Sequence, residues 1–167
     1  MAASDQNPVR IVDVHRHCLG AALGAQLPYD PTGKYHVGTI KGVTSVFYDE
    51  LMDIDGQIKG QDEGGITKGI LSFSMMVESL SDQFNKPWLE IAQRLNDETA
   101  HMVVKYPAKL DFLAMVNPLD KACVTECERC IKQHGAKGIS VESSWQGRYW
   151  IRPKHIRFGS SRRIRTP

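Results

Sequence analysis

Residues 11–17 read Ile-Val-Asp-Val-His-Arg-His, an apolar start followed by polar side chains at every second position. Alternate side chains of a strand share a face, which predicts that Asp13, His15 and His17 point the same way. The two imidazoles then start about 7 Å apart at the backbone, close enough to reach one divalent metal ion at about 2.1 Å. Asp13 is a candidate further ligand or a hydrogen-bond partner that orients His15, and the alternative is an ordinary hydrogen-bonded strand carboxylate. The alternative is a pair of strand-end histidines that face solvent.

The composition is that of an ordinary globular chain. Its 167 residues suffice for one domain with a core of its own, and 41% of them are hydrophobic. There is no run of about 18 apolar residues and no basic leader, so neither a membrane span nor secretion is expected. A cytoplasmic, reducing compartment is the default, in which the four cysteines are expected to remain thiols.

Apolar periodicity predicts alternating strands and helices. The predicted strands lie near residues 10–15, 66–73, 110–116 and 137–142, and the predicted helices near 48–63, 87–106 and 121–134. Such alternation favours a parallel sheet, and parallel sheets bind ligands at the carboxyl ends of their strands. His15 and His17 lie at that rim. Residues 18–47, rich in Gly, Pro and Tyr, are expected to form a loop that covers the site.

Motifs along the chain resemble one family. Asp13-Val-His15-Arg-His17 resembles the D-x-H-x-H signature of the amidohydrolase superfamily. Later motifs resemble its branch typified by aminocarboxymuconate-semialdehyde decarboxylase and the aromatic-acid decarboxylases; they are Tyr106-Pro107, Leu113-Ala-Met-Val-Asn-Pro-Leu and His134-Gly-Ala-Lys-Gly. The resemblance extends from about Arg10 to Gly147.

The resemblance implies a (β/α)8 barrel that holds a divalent metal ion, zinc or alternatively manganese, near the carboxyl ends of its strands. It assigns His15 and His17 as the first two ligands of a metal-dependent decarboxylase that acts on a small carboxylic acid. Hydrolysis of a lactone or amide by a metal-bound hydroxide is the alternative reaction. No stretch matches the family's third histidine ligand, its aspartate ligand or its catalytic histidine, so no catalytic residue is assigned.

Only about four of the eight strands of such a barrel can be counted. We therefore expect residues 1–150 to form the N-terminal portion of a (β/α)8 barrel, truncated after about four strands, with a non-catalytic binding fragment as a further alternative. Residues 151–167 hold six basic residues and no acidic one, which favours a disordered tail from a shifted reading frame or a retained intron. The rivals are a basic segment that binds nucleic acid or an acidic surface, and a solvated terminus. Membrane and nucleic-acid partners are not expected, and a homo-oligomer is left open.

Other candidate ligands have a structural interpretation. Cys123, Cys127 and Cys130 recur at helical spacing, which predicts a buried helix stripe rather than an iron-sulfur motif. Cys18 alternates away from the two histidines and is expected to pack in the core. Glu142, at the end of the fourth predicted strand, is either a ligand from the same rim or an ordinary surface carboxylate.

Overall fold

A computed structural model of the chain describes residues 10–40 and 42–149. Its strands are β1 (Val12–Arg16), β2 (His36–Ile40), β3 (Val43–Phe47), β4 (Lys68–Leu71), β5 (Leu110–Phe112), β6 (Ala114–Met115), β7 (Ile139–Ser140), β8 (Ser144–Trp145) and β9 (Arg148–Tyr149). Its α-helices are α1 (Ala21–Gly24), α2 (Ile54–Glu63), α3 (Met75–Phe84), α4 (Trp88–Lys105) and α5 (Ala122–His134). A short 3-10 helix, Asp49–Leu51, precedes α2.

The four predicted strand positions form parallel pairs. β4 lies between β1 and β5, with Gly69 opposite both Asp13 and Leu110. β6 continues from β5 after a break at Leu113 and pairs in parallel with β7. The break leaves a link to β4, because the Leu113 N–H donates to the Leu71 carbonyl at 3.0 Å. The prediction of an α/β chain with a parallel sheet is confirmed.

β1 contains a bulge that simple alternation does not predict. Asp13 pairs with Gly69 and Arg16 pairs with Leu71, so three steps along β1 match two steps along β4. A bulge adds one residue to a strand and changes the direction of the side chains around it. The direction of His15 therefore follows from its own contacts rather than from its spacing to Asp13.

The prediction of a covering loop over residues 18–47 was wrong, because the segment contains regular structure. α1 follows β1, and β2 and β3 form an antiparallel hairpin with His36 opposite Phe47. β-Branched residues on both sides of Gly42 favour these strands, and the φ of +80° at Gly42 suits a hairpin turn.

Other predicted boundaries were wrong locally. The helix predicted over residues 48–63 begins at Ile54, because Asp53 caps it by accepting a hydrogen bond from the Gly56 N–H at 2.9 Å. The strand predicted over residues 137–142 is confined to β7, and α3 and the β8–β9 hairpin were not predicted at all. The predicted basic tail, residues 151–167, lies outside the described residues.

Two apolar clusters form the core. One joins α1, α3 and α4 to Phe73, Met115 and Trp145, and the other surrounds Leu71 and Phe112. Among the described residues, no helix is both long and apolar enough to cross a membrane.

A buried polar cluster connects α5, α4 and the sheet. The Glu126 carboxylate, 1% exposed, accepts hydrogen bonds from Asn96 and from two nitrogens of Arg129, each at 2.8 Å. The Asn96 amide also donates to the Met115 carbonyl at 3.1 Å and accepts from the Met115 N–H at 2.8 Å. The Met115 sulfur in turn lies 3.1 Å from the backbone nitrogen of Phe73, just beyond β4. These contacts extend from α5 to the carboxyl end of β4.

Candidate metal centre

The two sequence-predicted histidines lie together at the carboxyl end of β1. Their ring centroids are 4.7 Å apart, and the rings meet edge to face at 69°. His15 is exposed and His17 is half-buried. Both imidazoles are therefore on one side of the strand end despite the bulge, and one of them is open to solvent.

The ring of His17 is held by two neighbours from the end of β4. Its Nδ1 forms a short hydrogen bond with the Ser72 carbonyl oxygen. A carbonyl oxygen only accepts, so Nδ1 carries the proton, and Nε2 is the ring nitrogen that a metal ion would use. Phe73 stacks on the same ring, with centroids 4.4 Å apart and planes 18° apart. A backbone carbonyl that fixes the tautomer in this way is a common partner of metal-binding histidines.

Asp13 contacts the main chain of His15 rather than its ring. Its Oδ1 accepts a hydrogen bond from the His15 N–H at 3.0 Å, and the side chain is half-buried. The carboxylate thus supports the local turn of the bulged strand. This contact keeps Asp13 beside the histidine pair without bringing it into a metal-binding group.

The remaining candidate ligands lie elsewhere. Cys18 is buried among apolar side chains, and burial raises the pKa of its thiol to about 12. Of the predicted helix stripe on α5, Cys127 and Cys130 are buried and Cys123 is half-buried, and the Cys130 thiol donates to Glu126 at 3.2 Å. Glu142 is half-buried two residues beyond β7. Within residues 10–40 and 42–149, no three His, Cys, Asp or Glu side chains form a group that could hold a metal ion.

The donor chemistry therefore fits part of a divalent-metal site. Two adjacent imidazoles, one of them with its proton fixed on Nδ1, are ligands that suit zinc, whereas manganese favours oxygen ligands. Sequence reasoning found both histidines but not the groups that orient them. Ser72 acts through its backbone carbonyl and Phe73 through its ring, so only their position at the end of the second predicted strand could have indicated them.

Comparison with solved structures found relatives of the same fold. 5-Carboxyvanillate decarboxylase from Novosphingobium aromaticivorans, in complex with manganese and a nitrobenzoic acid, is 23% identical over 86% of this chain, with a TM-score of 0.63. Dihydroxybenzoic acid decarboxylase from Polaromonas, with bound manganese and 2-nitroresorcinol, is 25% identical over 82% of this chain, with a TM-score of 0.60. 2,6-Dihydroxybenzoate decarboxylase from Rhizobium is 26% identical over 80% of this chain, with a TM-score of 0.56.

These structures belong to the TIM-barrel amidohydrolases. Within that class they are decarboxylases, so the resemblance to amidohydrolase-superfamily decarboxylases predicted from the motifs is confirmed. The chain covers 44%, 39% and 38% of these three structures, in the order given above. No family model matches the chain, and no curated protein matches it.

Proposed function

We propose that this chain carries the opening part of a metal-dependent carboxy-lyase site, with His15 and His17 as ligands of a divalent ion. The observation that carries the proposal is the pair of imidazoles whose ring centroids lie 4.7 Å apart at the carboxyl end of β1, with the Nδ1 of His17 bound to the Ser72 carbonyl. We assign the four parallel strand positions to the first half of a (β/α)8 barrel, whose ligands bind at that end of the strands. The bound manganese of the two related decarboxylases supports a divalent ion.

The residues of this chain would bind and orient that ion. His17 presents Nε2 because Ser72 holds the proton on Nδ1, and Phe73 limits rotation of the ring. His15 contributes the second imidazole from the solvent side. When bound, the metal supplies positive charge that can hold a substrate carboxylate and stabilise the negative charge of the transition state.

We propose a small aromatic carboxylic acid as the substrate class. The support is the chemistry in the names of the related structures, whose ligands include 2,6-dihydroxybenzoate and a nitrobenzoic acid. For the ion we propose zinc, which imidazole ligands favour, with manganese as the alternative that the related structures support.

The test is a manganese titration of the 167-residue chain, followed by the loss of the free-ion electron paramagnetic resonance signal. We expect binding that disappears in His17→Ala and in His15→Ala and persists in His101→Ala. His101 is the matched control because it is an exposed histidine on α4. Equal binding by the wild-type chain and both site variants would refute the site. Carbon dioxide release from 2,6-dihydroxybenzoate tests the reaction separately.

A further inference from the structure

A polar cluster lies on the side of β1 that faces α2. It consists of the side chains of Arg16, Gln57 and Gln61, which lie next to Gly69 of β4. The Arg16 guanidinium donates to the Gln57 Oε1 at 3.2 Å, to the Gln57 carbonyl at 2.6 Å and, by a short bond, to the Gln61 Oε1. Gly69 leaves room for it, because a Cβ there would lie 2.9 Å from the Arg16 Cδ. The cluster fastens α2 to β1 next to the candidate ligands.

Gln57 extends this cluster to the candidate ligand itself. Its Nε2 donates to the His17 carbonyl at 3.2 Å and to the Glu50 carbonyl at 3.1 Å, and it lies 3.5 Å from the Leu51 carbonyl. A single amide group thus contacts Arg16 through its oxygen and His17 through its nitrogen. The two consecutive residues it holds are the end of β1 and the first residue after it.

The bulge makes these side-chain contacts important. Between Asp13 and Arg16 the pairing with β4 shifts register, and it resumes at the strand end, where the Ser72 N–H donates to the Arg16 carbonyl at 2.9 Å. His17 follows the end of β1, so side-chain contacts take over from the ladder there. The ring of His17 is held by Ser72 and Phe73 from β4, whereas its backbone carbonyl is held by Gln57 from α2. Rotation of the main chain at His17 would change both contacts together.

We propose that Gln57 is a positioning residue for the His15–His17 pair, acting through the carbonyl of His17 and the guanidinium of Arg16. The proposal rests on the proposed function, since it treats the pair as metal ligands. Gln57 would not touch the ion. It would hold the backbone at an orientation in which Nδ1 of His17 reaches the Ser72 carbonyl and the ring of His17 lies beside that of His15.

The informative variant is Gln57→Glu. The carboxylate keeps an oxygen toward Arg16 but replaces the amide donor by a second oxygen, which repels the carbonyls of His17 and Glu50. Gln61→Glu is the matched control. Gln61 also lies on α2 and also accepts from Arg16, but its amide donates to the Lys109 carbonyl at 3.1 Å and not to His17.

Two measurements on the full 167-residue chain report on the His15–His17 pair. Cobalt(II) chloride alone is titrated and monitored by visible absorbance, and the tautomer of His17 is determined without metal from imidazole nitrogen chemical shifts. We expect Gln57→Glu to weaken cobalt binding by about tenfold or more, as is typical of residues that orient metal ligands. We also expect it to lose the pure Nδ1–H tautomer, whereas Gln61→Glu stays within about twofold and keeps it.

The outcomes separate this proposal from the proposed function. Cobalt affinity and tautomer unchanged in Gln57→Glu, or an equal loss in Gln61→Glu, would overturn the positioning role while leaving the metal site standing. Cobalt binding that is absent or insensitive to His17→Ala would instead refute the metal site. If the metal site is refuted, the tautomer of His17 alone tests the positioning role of Gln57. A change of tautomer in Gln57→Glu but not in Gln61→Glu supports that role, and an unchanged tautomer in Gln57→Glu overturns it.

Discussion

Replacing Glu126 by Gln tests how strongly the buried polar cluster stabilises this fold. The carboxylate is 1% exposed and accepts hydrogen bonds from Asn96, Arg129 and Cys130. The variant keeps the size of the side chain but removes its charge. It also turns an NH2 group toward one of the Arg129 nitrogens, where donor faces donor.

The size of the stability loss depends on the ion pair that Arg129 keeps in the variant. Removing one partner of a buried ion pair costs about 3–5 kcal/mol, because the remaining charge is left without compensation. Arg129 keeps an ion pair with Asp97 at 2.6 Å, and its side chain is 21% exposed. We therefore expect the lower end of that range, about 3 kcal/mol. This corresponds to a fall in Tm of about 6–12 °C for a chain of this size.

The assay is urea unfolding at pH 7 followed by far-ultraviolet circular dichroism. Glu128→Gln serves as the control, because the same helix carries Glu128 in an exposed pair with Lys132 at 2.8 Å. Pairs of that kind contribute about 0.3–0.5 kcal/mol. A loss below about 1 kcal/mol for Glu126→Gln, or a loss equal to that of the control, would refute the reasoning.

The same residue makes stability depend on acid. Burial alone would raise the pKa of Glu126, but hydrogen bonds from Arg129, Asn96 and Cys130 outweigh it and hold the pKa below its ordinary value. The folded chain therefore binds this proton less readily than the unfolded chain, whose glutamate pKa is about 4.3. The stabilisation that ionised Glu126 gives the fold is therefore complete at a pH above the unfolded pKa, and it disappears as the pH falls through the lowered pKa of the folded state. The Glu126→Gln variant should lack this part of the acid dependence.

Two further predictions use pairs of residues in the same structure. Gly60→Ala should raise the free energy of unfolding by about 0.5–1 kcal/mol, since a Cβ in this exposed turn of α2 meets nothing within 4 Å. Gly69→Ala should lower the free energy of unfolding by about 1–3 kcal/mol, because Arg16 occupies the space that a Cβ would need. Urea unfolding of the two variants measures the direction of both changes. Cys18 and Cys130, whose pKa values burial raises to about 12, should resist iodoacetamide at pH 8 until urea unfolds the chain. Mass spectrometry of the digested protein would contradict this if either thiol were labelled under native conditions.

Much of the fold is predictable from sequence because its long elements have clear periodicity. α4 and α5 lie within one residue of their predicted bounds, since an apolar stripe and nearby Pro87 and Gly135 define their ends. α3 was missed because it begins immediately after the strand segment, with five consecutive buried residues, Met76–Leu80, that obscure its period. Short elements of this kind depend on tertiary burial more than on local pattern.

The candidate site is predictable only in part. The spacing of His15 and His17 indicates the imidazole pair because the two residues are near neighbours in sequence, although the bulge in β1 means that simple alternation does not set the direction of their rings. Their orientation depends on a carbonyl at Ser72 and an amide at Gln57, both distant in sequence. A backbone carbonyl has no residue-type signal, and a glutamine within a polar helix has little more. The structure is needed to find both contacts.

The Asn96 amide has a consequence for how α4 sits on the sheet. Apolar faces of helices can slide along a strand with modest loss of contact, whereas a pair of directional bonds cannot. Asn96 donates to and accepts from the same residue, Met115, at 3.1 and 2.8 Å. Moving α4 by one residue along its axis would shift this amide by about 1.5 Å and change the geometry of both bonds together. Asn96 therefore adds a directional constraint on the axial position of an 18-residue helix to the one that its buried apolar side chains provide.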